Sequence, residues 1–342
     1  MNCGIAGYGV YLPLYRVKSS DVAKAWGGDL KSAYEKTVPS YDEDAVTMGV
    51  EASLNALKNA GFNGEELDLV YFASTSSPYI EKQCSSTVAF ALGCKSSVRT
   101  SDFDGSPRVC SSAMLSAFDA LRSSAARSAL VVASDKLVAR PSESMEQLLS
   151  SGAAAYVLTS DEKRMVARID GSASYSTEFT DRWHSETEIF PRSAIERFGR
   201  DYGYTKHVTT AIKKLLESRK SSPKDYSQVV FTEFDPRRPS AIAKSTGYKE
   251  EQIQRGLLAQ FVGDTGAASM FLSLAAALEK AKPGERILAV SYGDGGSDAL
   301  EFGVTEGMRE KQTGEVEKYL KSKKIVDYQM HLRLNRVFDM LR

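Results

Sequence analysis

The hydrophobic and polar positions along the chain follow two periodicities. Short apolar runs typical of buried strands alternate with longer segments whose apolar residues recur about every three to four positions, as on one face of a helix. In the 42–60 helix, the predicted apolar stripe is Val46, Val50, Leu54 and Leu57. The first half is predicted to form strands and helices in the order 4–12, 42–60, 67–74, 81–92, 98–103, 107–124, 129–134 and 153–159, the last two being strands.

The second half repeats this order of elements. Its predicted elements are a strand, a helix, a strand, two helices and two paired strands, at 165–172, 204–218, 228–234, 238–246, 262–281, 287–292 and 299–305. Residues also echo across the repeat, since Val46-Thr-Met-Gly-Val50 corresponds to Val208-Thr-Thr-Ala-Ile212. Alternating strands and helices are typical of mainly parallel sheets covered by helices. The pattern therefore predicts a duplicated α/β unit.

We expect three parts along the chain. The N-terminal half spans 1–163 and the C-terminal half spans 164–307. A charged tail at 308–342 is predicted to form a helix and an extended arm that lies over the body or over a partner.

Composition narrows the class of ligand. The chain is 42% hydrophobic and 26% charged, which is typical of a globular protein. Its 44 basic and 44 acidic residues balance, and no long run of one sign stands out, so nothing favours nucleic acid or a membrane as partner. The start lacks a signal-like segment, and no window approaches the roughly 18 apolar residues of a membrane helix. We expect a cytoplasmic protein.

Cysteine and histidine are few and scattered. The four cysteines and three histidines are Cys3, Cys84, Cys94, Cys110, His184, His207 and His331. Their spacing fits neither a disulfide framework nor a paired zinc motif, so we expect reduced thiols and no structural metal.

The most specific signal lies at 101–114, which reads SDFDGSPRVCSSAM between a predicted strand and a predicted helix. This segment resembles the nucleophile turn of condensing enzymes in the thiolase superfamily, in particular the archaeal-type 3-hydroxy-3-methylglutaryl-CoA (HMG-CoA) synthases. The resemblance extends over nearly the whole chain. It implies an α/β thiolase fold in which duplicated βαβαβαββ halves form a five-layered α/β/α/β/α body. It also implies acyltransferase chemistry on acyl-CoA.

The resemblance places the family's nucleophilic cysteine at Pro107, counted without a gap from Asp102. Proline has no nucleophile and no amide hydrogen, but Ser106-Pro107 is a good helix start. Cys110 is the alternative nucleophile. On a helix it would lie about 4–5 Å further along the axis, a large displacement when about 1 Å can cost a hundredfold in rate.

Other catalytic positions of the family are also substituted. The resemblance places its histidine at Thr232, its general-base glutamate at Thr75 and its oxyanion-supporting asparagine at Asp264. His207 is interpreted as a surface or capping residue at a helix start. Acyl transfer needs a nucleophile, a base and electrostatic donors together, so these substitutions predict loss of the family's route.

Two features of a CoA site remain by resemblance. The glycines Gly293, Gly295 and Gly296 match the family's turn near the thioester, although a tight hairpin alone would also explain them. Arg237, Arg238 and Lys244 fall where the family has basic residues near CoA phosphates, although solvated helix charges would explain these too. The resemblance allows CoA or acyl-CoA as ligand and requires no cofactor.

Three functions follow from these residues. The first is a non-catalytic structural or regulatory subunit of an acyl-CoA thiolase or acyltransferase complex. By resemblance, it would form a homodimer through residues 84–103 and associate with an acetoacetyl-CoA thiolase and a small oligonucleotide-fold protein. The second is a divergent HMG-CoA synthase of the mevalonate pathway that uses Cys110 or a non-covalent route. The third is a sensor that retains the CoA channel without chemistry.

Overall fold

The computed structural model describes residues 2–29, 34–185, 187–311 and 313–341. Its strands are β1 (Gly4–Tyr11), β2 (Tyr15–Lys18), β3 (Glu35–Val38), β4 (Leu69–Ala73), β5 (Arg99–Phe103), β6 (Ser128–Lys136), β7 (Ser151–Thr159), β8 (Ala167–Ser176), β9 (Arg182–Trp183), β10 (Arg192–Ser193), β11 (Gln228–Phe231), β12 (Arg286–Gly293), β13 (Gly296–Val304) and β14 (Lys324–Ile325).

Its helices are α1 (Ser19–Ala25), α2 (Ala45–Ala60), α3 (Cys84–Ala91), α4 (Val109–Arg122), α5 (Glu196–Phe198), α6 (Lys206–Arg219), α7 (Arg238–Thr246), α8 (Ala259–Val262), α9 (Ser269–Glu279), α10 (Glu315–Lys321), α11 (Tyr328–Leu334) and α12 (Val337–Met340). A π-helical turn, Gly199–Thr205, joins α5 to α6. No helix in these ranges combines the length and apolar character needed to cross a membrane.

The main sheet shows the duplication directly. Its strand order is β11-β12-β13-β8-β1-β7-β6-β4-β5. In the first half, β1 is antiparallel to β7, β7 to β6, and β6 is parallel to β4. The second half repeats this pattern with β8, β13, β12 and β11. The two halves join where β1 pairs with β8 at Gly4 and Ile5.

Helices and half-sheets stack in five layers. Helices α4 and α9 lie between the half-sheets within the largest apolar cluster. Helices α2 and α3 cover the outer face of the first half-sheet, and α6 and α7 cover that of the second. Every residue of α9 is buried, which suits a helix enclosed on all sides. The predicted α/β/α/β/α fold class is therefore confirmed.

Helix α2 corrects the predicted apolar stripe. Leu54 is 44% exposed, whereas Val46 and Leu57 are buried as expected. The buried face consists mainly of small residues, because the helix crosses β1 very closely. A Cβ atom at Gly9 would collide with the backbone of Ala52 and Ala56. Close backbone approach, rather than large apolar side chains, defines this contact.

Several predicted helices begin later than expected, and the largest shift is in the 262–281 helix. The 262–281 helix begins at Ser269, because Gly263 and Gly266 adopt positive φ angles of 81° and 59° that interrupt a right-handed helix. The 107–124 helix begins at Val109. The pattern also missed the short elements β2, β3, β9, β10, α1, α5 and α8.

The tail returns to the body. Strand β14 pairs in parallel with β2, and β2 pairs with β3, so the three form a small separate sheet. In the sequence, α10 precedes β14, and α11 and α12 follow it.

We expect Gly9→Ala to destabilise the protein, because the added methyl group has no space against the backbone of α2. The free energy of unfolding, measured by denaturant titration, should fall by about 1–3 kcal/mol. Leu54→Ala on the exposed face of α2 is the control and should change stability by only about 0.5 kcal/mol. Equal effects of the two substitutions would contradict this packing.

Candidate functional site

A cavity of about 410 Å³ opens beside the N-terminal end of α4. Its walls come from the turn before α4, from residues 144–149, 181–182, 193–199 and 234–238, and from the β12–β13 turn. Of the site positions predicted from sequence, it brings together Pro107, Arg237, Arg238, Asp264 and Gly293. The others lie outside its lining, namely Thr75, Cys110, Thr232, Lys244, Gly295 and Gly296.

Pro107 lies in a turn just before α4 and is buried. The Ser106 carbonyl accepts the amide of Val109 at 3.1 Å, and the Ser106 hydroxyl accepts the amide of Arg108 at 3.4 Å. Ser106 thus caps the turn, although the helical residues start after Arg108. A Cβ at Gly293 would lie 2.8 Å from the Pro107 ring, so the end of β12 requires glycine to approach this turn.

Cys110 is enclosed rather than presented to the cavity. Its side chain is fully buried in the central apolar cluster, with Sγ 4.0 Å from the carbonyl oxygen of Pro107. Burial raises the pKa of the Cys110 thiol, so the reactive thiolate is disfavoured. None of the four cysteines lines the cavity.

The two threonines at predicted catalytic positions make structural hydrogen bonds. The Thr232 hydroxyl is buried and accepts the backbone N–H of Tyr292 at 3.1 Å. Thr75 donates its amide and hydroxyl to the carboxylate of Asp135, at 2.7 and 2.9 Å.

Asp135 is a buried residue that the sequence reasoning missed. Besides the two bonds from Thr75, its carboxylate accepts the Ser74 and Ser76 hydroxyls and the amide of Ala267 at 2.7–2.8 Å. Its signal in the sequence is an acidic residue at the end of the apolar run that forms β6.

Asp264 forms a buried ion pair with Arg182. The Asp264 side chain is 3% exposed in the pair, and its Oδ2 lies 3.0 Å from the Arg182 Nη1. Its Oδ1 accepts the amide of Gly266 at 2.9 Å. Burial raises the pKa of Asp264, and the Arg182 charge opposes this shift. Arg182 was missed because it lies in a two-residue strand without a recognisable pattern.

Two further carboxylates, those of Asp181 and Asp294, lie near Arg182 of this ion pair. Asp294, in the β12–β13 turn, has a φ of 43°, which is uncommon for a residue other than glycine. The Tyr292 hydroxyl donates to Asp181 at 2.8 Å. Burial is the main cause that raises the pKa of Asp294; the charge of Asp181 adds to it, and Arg182 counteracts it. Protonation of one carboxyl relieves the repulsion between two close carboxylates.

The predicted basic group is only partly at the cavity. Arg238 pairs with Asp235 through Nε and Oδ2 at 2.7 Å, and Asp235 also accepts the amide of Arg237 at 2.8 Å. The Arg237 side chain is exposed at the rim, whereas Lys244 is exposed outside the lining. Arg238 is therefore neutralised within the chain, and Arg237 is the rim arginine open to a ligand.

The interpretation of His207 as a surface or capping residue is wrong. It is 1% exposed, and its ring nitrogens contact the Thr177 hydroxyl at 2.8 Å and the Gly203 carbonyl at 2.6 Å. It packs against Tyr175 and Tyr292. No histidine lines the cavity. Within the described ranges, no cluster of three or more His, Cys, Asp or Glu side chains could hold a metal ion.

We expect Asp294→Asn to alter the pH dependence of stability. Because the raised pKa lets the native state hold a proton that the unfolded chain releases, wild-type stability should fall as the pH rises from about 4 towards neutrality. Asparagine tolerates the positive φ and cannot ionise. At about pH 8 the variant should therefore be more stable than wild type by about 1–3 kcal/mol.

Denaturant titrations at about pH 5 and about pH 8 measure this difference. The control is Asp104→Asn, which changes an exposed carboxylate outside the cavity lining. A variant with the wild-type pH profile would show that Asp294 does not retain a proton.

Comparison with known proteins identifies relatives along the full chain. A family model of the C-terminal part of 3-oxoacyl-[acyl-carrier-protein (ACP)] synthase III matches residues 216–299. The hydroxymethylglutaryl-CoA synthase of Pyrococcus horikoshii is 34% identical over 340 residues, which cover 98% of this chain and 97% of the relative. That of Methanosarcina mazei is 34% identical over 342 residues, which cover 97% and 98%.

Solved structures share the fold at lower sequence identity. An HMG-CoA synthase complexed with CoA has a TM-score of 0.88 and 18% identity, with 98% of this chain and 90% of the other covered. The 3-oxoacyl-[acyl-carrier-protein] synthase III of Aquifex aeolicus has a TM-score of 0.78 and 23% identity, covering 88% and 99%. Because the hydroxymethylglutaryl-CoA synthases of Pyrococcus horikoshii and Methanosarcina mazei are 34% identical to this chain over almost their whole length, the chain belongs to the hydroxymethylglutaryl-CoA synthase family.

Proposed function

We propose that this chain is a non-catalytic member of its family that acts as a structural or regulatory subunit of an acyl-CoA thiolase or acyltransferase complex in the cytoplasm. The observation that carries this proposal is the residue at the cavity end of α4. Pro107 lines the cavity there, and its ring cannot form a thioester. Cys110, the next thiol along the helix, is fully buried beneath it.

The surrounding groups support the same conclusion. Covalent acyl transfer needs a base within hydrogen-bond reach of the nucleophile and donors aimed at the oxyanion. The hydroxyls of Thr75 and Thr232 are engaged with Asp135 and with the backbone. At the proposed oxyanion position Asp264 presents a carboxylate, which accepts hydrogen bonds when ionised and is already paired with Arg182.

Ligand binding without chemistry is part of this proposal. Among the structural neighbours are a synthase complexed with CoA and an MvaS protein in complex with 3-hydroxy-3-methylglutaryl coenzyme A. We extend CoA or acyl-CoA binding to the cavity of this chain, with Arg237 at the rim as the arginine available for a phosphate group. Bound CoA would then regulate or stabilise the subunit, as in a sensor.

Exposed apolar side chains support self-association. Strand β5 is an edge of the main sheet, and Phe90 on the neighbouring helix α3 is 88% exposed. Ile80, just before α3, is 92% exposed. Such groups mark interaction surfaces when they adjoin an unpaired strand edge. We propose that residues 84–103 form a homodimer interface, and that the dimer binds an acetoacetyl-CoA thiolase and a small oligonucleotide-fold protein.

The second candidate is a divergent synthase that uses Cys110 or a non-covalent route. It is favoured by the 34% identity to hydroxymethylglutaryl-CoA synthases over the full chain. For Cys110 to react, the turn at Pro107 would have to open and the thiol would have to ionise against its raised pKa.

Acetylation separates the two candidates. After incubation with acetyl-CoA, intact-mass and peptide mass spectrometry should show no acetyl group on the wild-type protein. Pro107→Cys places a thiol in the cavity lining at the start of α4, where helix amides lower a thiol pKa, and should become labelled by iodoacetamide. Wild type should stay unlabelled at Cys110 under the same native conditions.

An acetyl group on the Cys110 peptide, lost in Cys110→Ala, would support the divergent synthase instead. Turnover of acetyl-CoA and acetoacetyl-CoA by wild type without any adduct would support the non-covalent route and contradict the proposal.

The proposed dimer is tested by light scattering after size-exclusion chromatography. Phe90→Glu should shift the protein from dimer to monomer, because it places a charge in an apolar contact. The matched control is Ile195→Glu, at an 80% exposed apolar residue outside 84–103, and should leave the dimer intact. A monomeric wild type would refute the interface, and a tagged wild type that copurifies no thiolase-like chain would count against the complex.

A further inference from the structure

The C-terminal tail reaches the wall of the cavity. Strand β14 lies beside β2, with Lys324 opposite Tyr15 and Ile325 opposite Arg16. Helix α11 follows this strand and begins at Tyr328, with Asp327 as its N-cap. The tail therefore returns to the N-terminal part of the body, close to the segment that forms one cavity wall.

Tyr328 contacts that segment through a buried carboxylate. Its hydroxyl donates to Oε1 of Glu146 at 2.8 Å, and it accepts Nε1–H of Trp26 at 2.8 Å. Glu146 is 2% exposed, and its Oε2 accepts the amide of Ser142 at 2.8 Å. A carboxylate at this depth is stable only when donors satisfy its oxygens, and Tyr328 is the donor that the tail supplies.

The pKa of the tyrosine fits this donor role. Burial raises the pKa of Tyr328, and the hydrogen bond to Glu146 raises it further, so the hydroxyl keeps its proton at neutral pH. The hydrogen bond is charge-assisted, which makes it stronger than a bond between neutral groups.

Glu146 lies within the segment that forms the cavity wall, although its own side chain is not part of the lining. It lies in the short 3-10 turn Ser144–Gln147, and residues on both sides of it, including Met145 and Leu148, line the cavity. The buried amine of Lys36 holds the same turn from within, because it donates to the carbonyls of Glu146 and Leu149.

The wall segment in turn fixes the backbone of Asp264. The amide of Asp264 donates to the Leu148 carbonyl at 2.8 Å, and the amide of Ser150 donates to the Asp264 carbonyl at 2.9 Å. A continuous set of contacts thus runs from the tail through the 144–150 segment to the buried carboxylate of the cavity.

Helix α11 also brings His331 near Lys36, the lysine that bonds the wall segment. The imidazole is 5% exposed and bonds Asn335 at 2.9 Å. Burial, and then the nearby charge of Lys36, lower the pKa of His331, so the ring is neutral where the helix approaches the lysine.

We propose that Tyr328 is a positioning residue for the cavity, through which the C-terminal tail holds the 144–150 wall segment and Asp264 in place. This assignment goes beyond the proposed function, because the wall needs support whether the cavity binds a ligand passively or reacts with it. Any event that moves the tail, such as contact with another chain, would then change the shape of the cavity.

Hydrogen exchange of backbone amides measures how strongly the 144–150 segment and Asp264 are protected from local opening. In Tyr328→Phe the ring remains and the bond to Glu146 is lost, so amides of 148–150 and of Asp264 should exchange about tenfold faster, as expected for a lost hydrogen bond to a charged group. Amides of the core strands β6 and β7 should keep their wild-type exchange.

Tyr319→Phe is the matched control. It removes a hydroxyl of the same tail, one that accepts a hydrogen bond from Asn55 at 3.1 Å and lies outside the cavity lining. It should leave exchange at 148–150 and Asp264 unchanged. Glu146→Gln should accelerate the same amides, and combining it with Tyr328→Phe should add less than the sum of the two, because both act on one bond.

If the amides of 148–150 and Asp264 exchange in Tyr328→Phe at the wild-type rate, the proposal is overturned. Equal acceleration in Tyr319→Phe, or acceleration that includes β6 and β7, would overturn it too, since these would indicate general loosening. The measurement uses neither CoA nor acyl transfer, so its failure is distinct from a failure of the proposed function.

Discussion

The hydrogen bonds to the carboxylate of Asp135 are the interactions on which the loops around the site depend. The carboxylate is buried and accepts five hydrogen bonds, four from the residues that follow β4 and one from Ala267 at the turn that leads into α9. It therefore ties the first half of the chain to the second, next to the turn after Asp264, which lines the cavity. A buried carboxylate without these donors would be costly, so the surrounding loops must adopt the conformations that supply them.

The same hydrogen bonds fix the loops that lie next to the cavity. The Thr75 hydroxyl is held by Asp135, and the turn after Asp264 must pass close to the same carboxylate at Gly266. The stability of these loops comes from the hydrogen bonds around Asp135, not from a reactive thiol or imidazole. Under the proposed non-catalytic function, these loops need no reactive side chain to keep their shape.

Much of the fold could be predicted from the sequence, because long apolar strands and amphipathic helices carry a periodic signal. Helix α7 matches its predicted bounds, and the duplicated order of strands and helices agrees with the sheet. The stripe on α2 was partly misassigned at Leu54, since the helix packs through small residues whose contribution depends on backbone approach. Strands of two residues, such as β9 and β10, leave no period to detect.

The candidate site was less predictable. Pro107, Asp264 and Gly293 were assigned to one site by the resemblance to a known family, and all three line the cavity. Arg182 and Asp181 come from an irregular segment, and their partners are far away in sequence, so spacing says nothing of the ion pair or of the bond to Tyr292. The sequence placed His207 at a helix start but could not show that Tyr175 and Tyr292 enclose its ring, because both tyrosines come from distant strands.

Helix α9 has a consequence for how the molecule assembles. Because all of its residues are buried and it is sandwiched between the half-sheets, neither half possesses a finished interior by itself. Its mostly apolar surface would meet water until both sheets close over it, so the last stage of folding must join distant parts of the chain at once. Such non-local closure is slow, and it makes the halves fold as one cooperative unit.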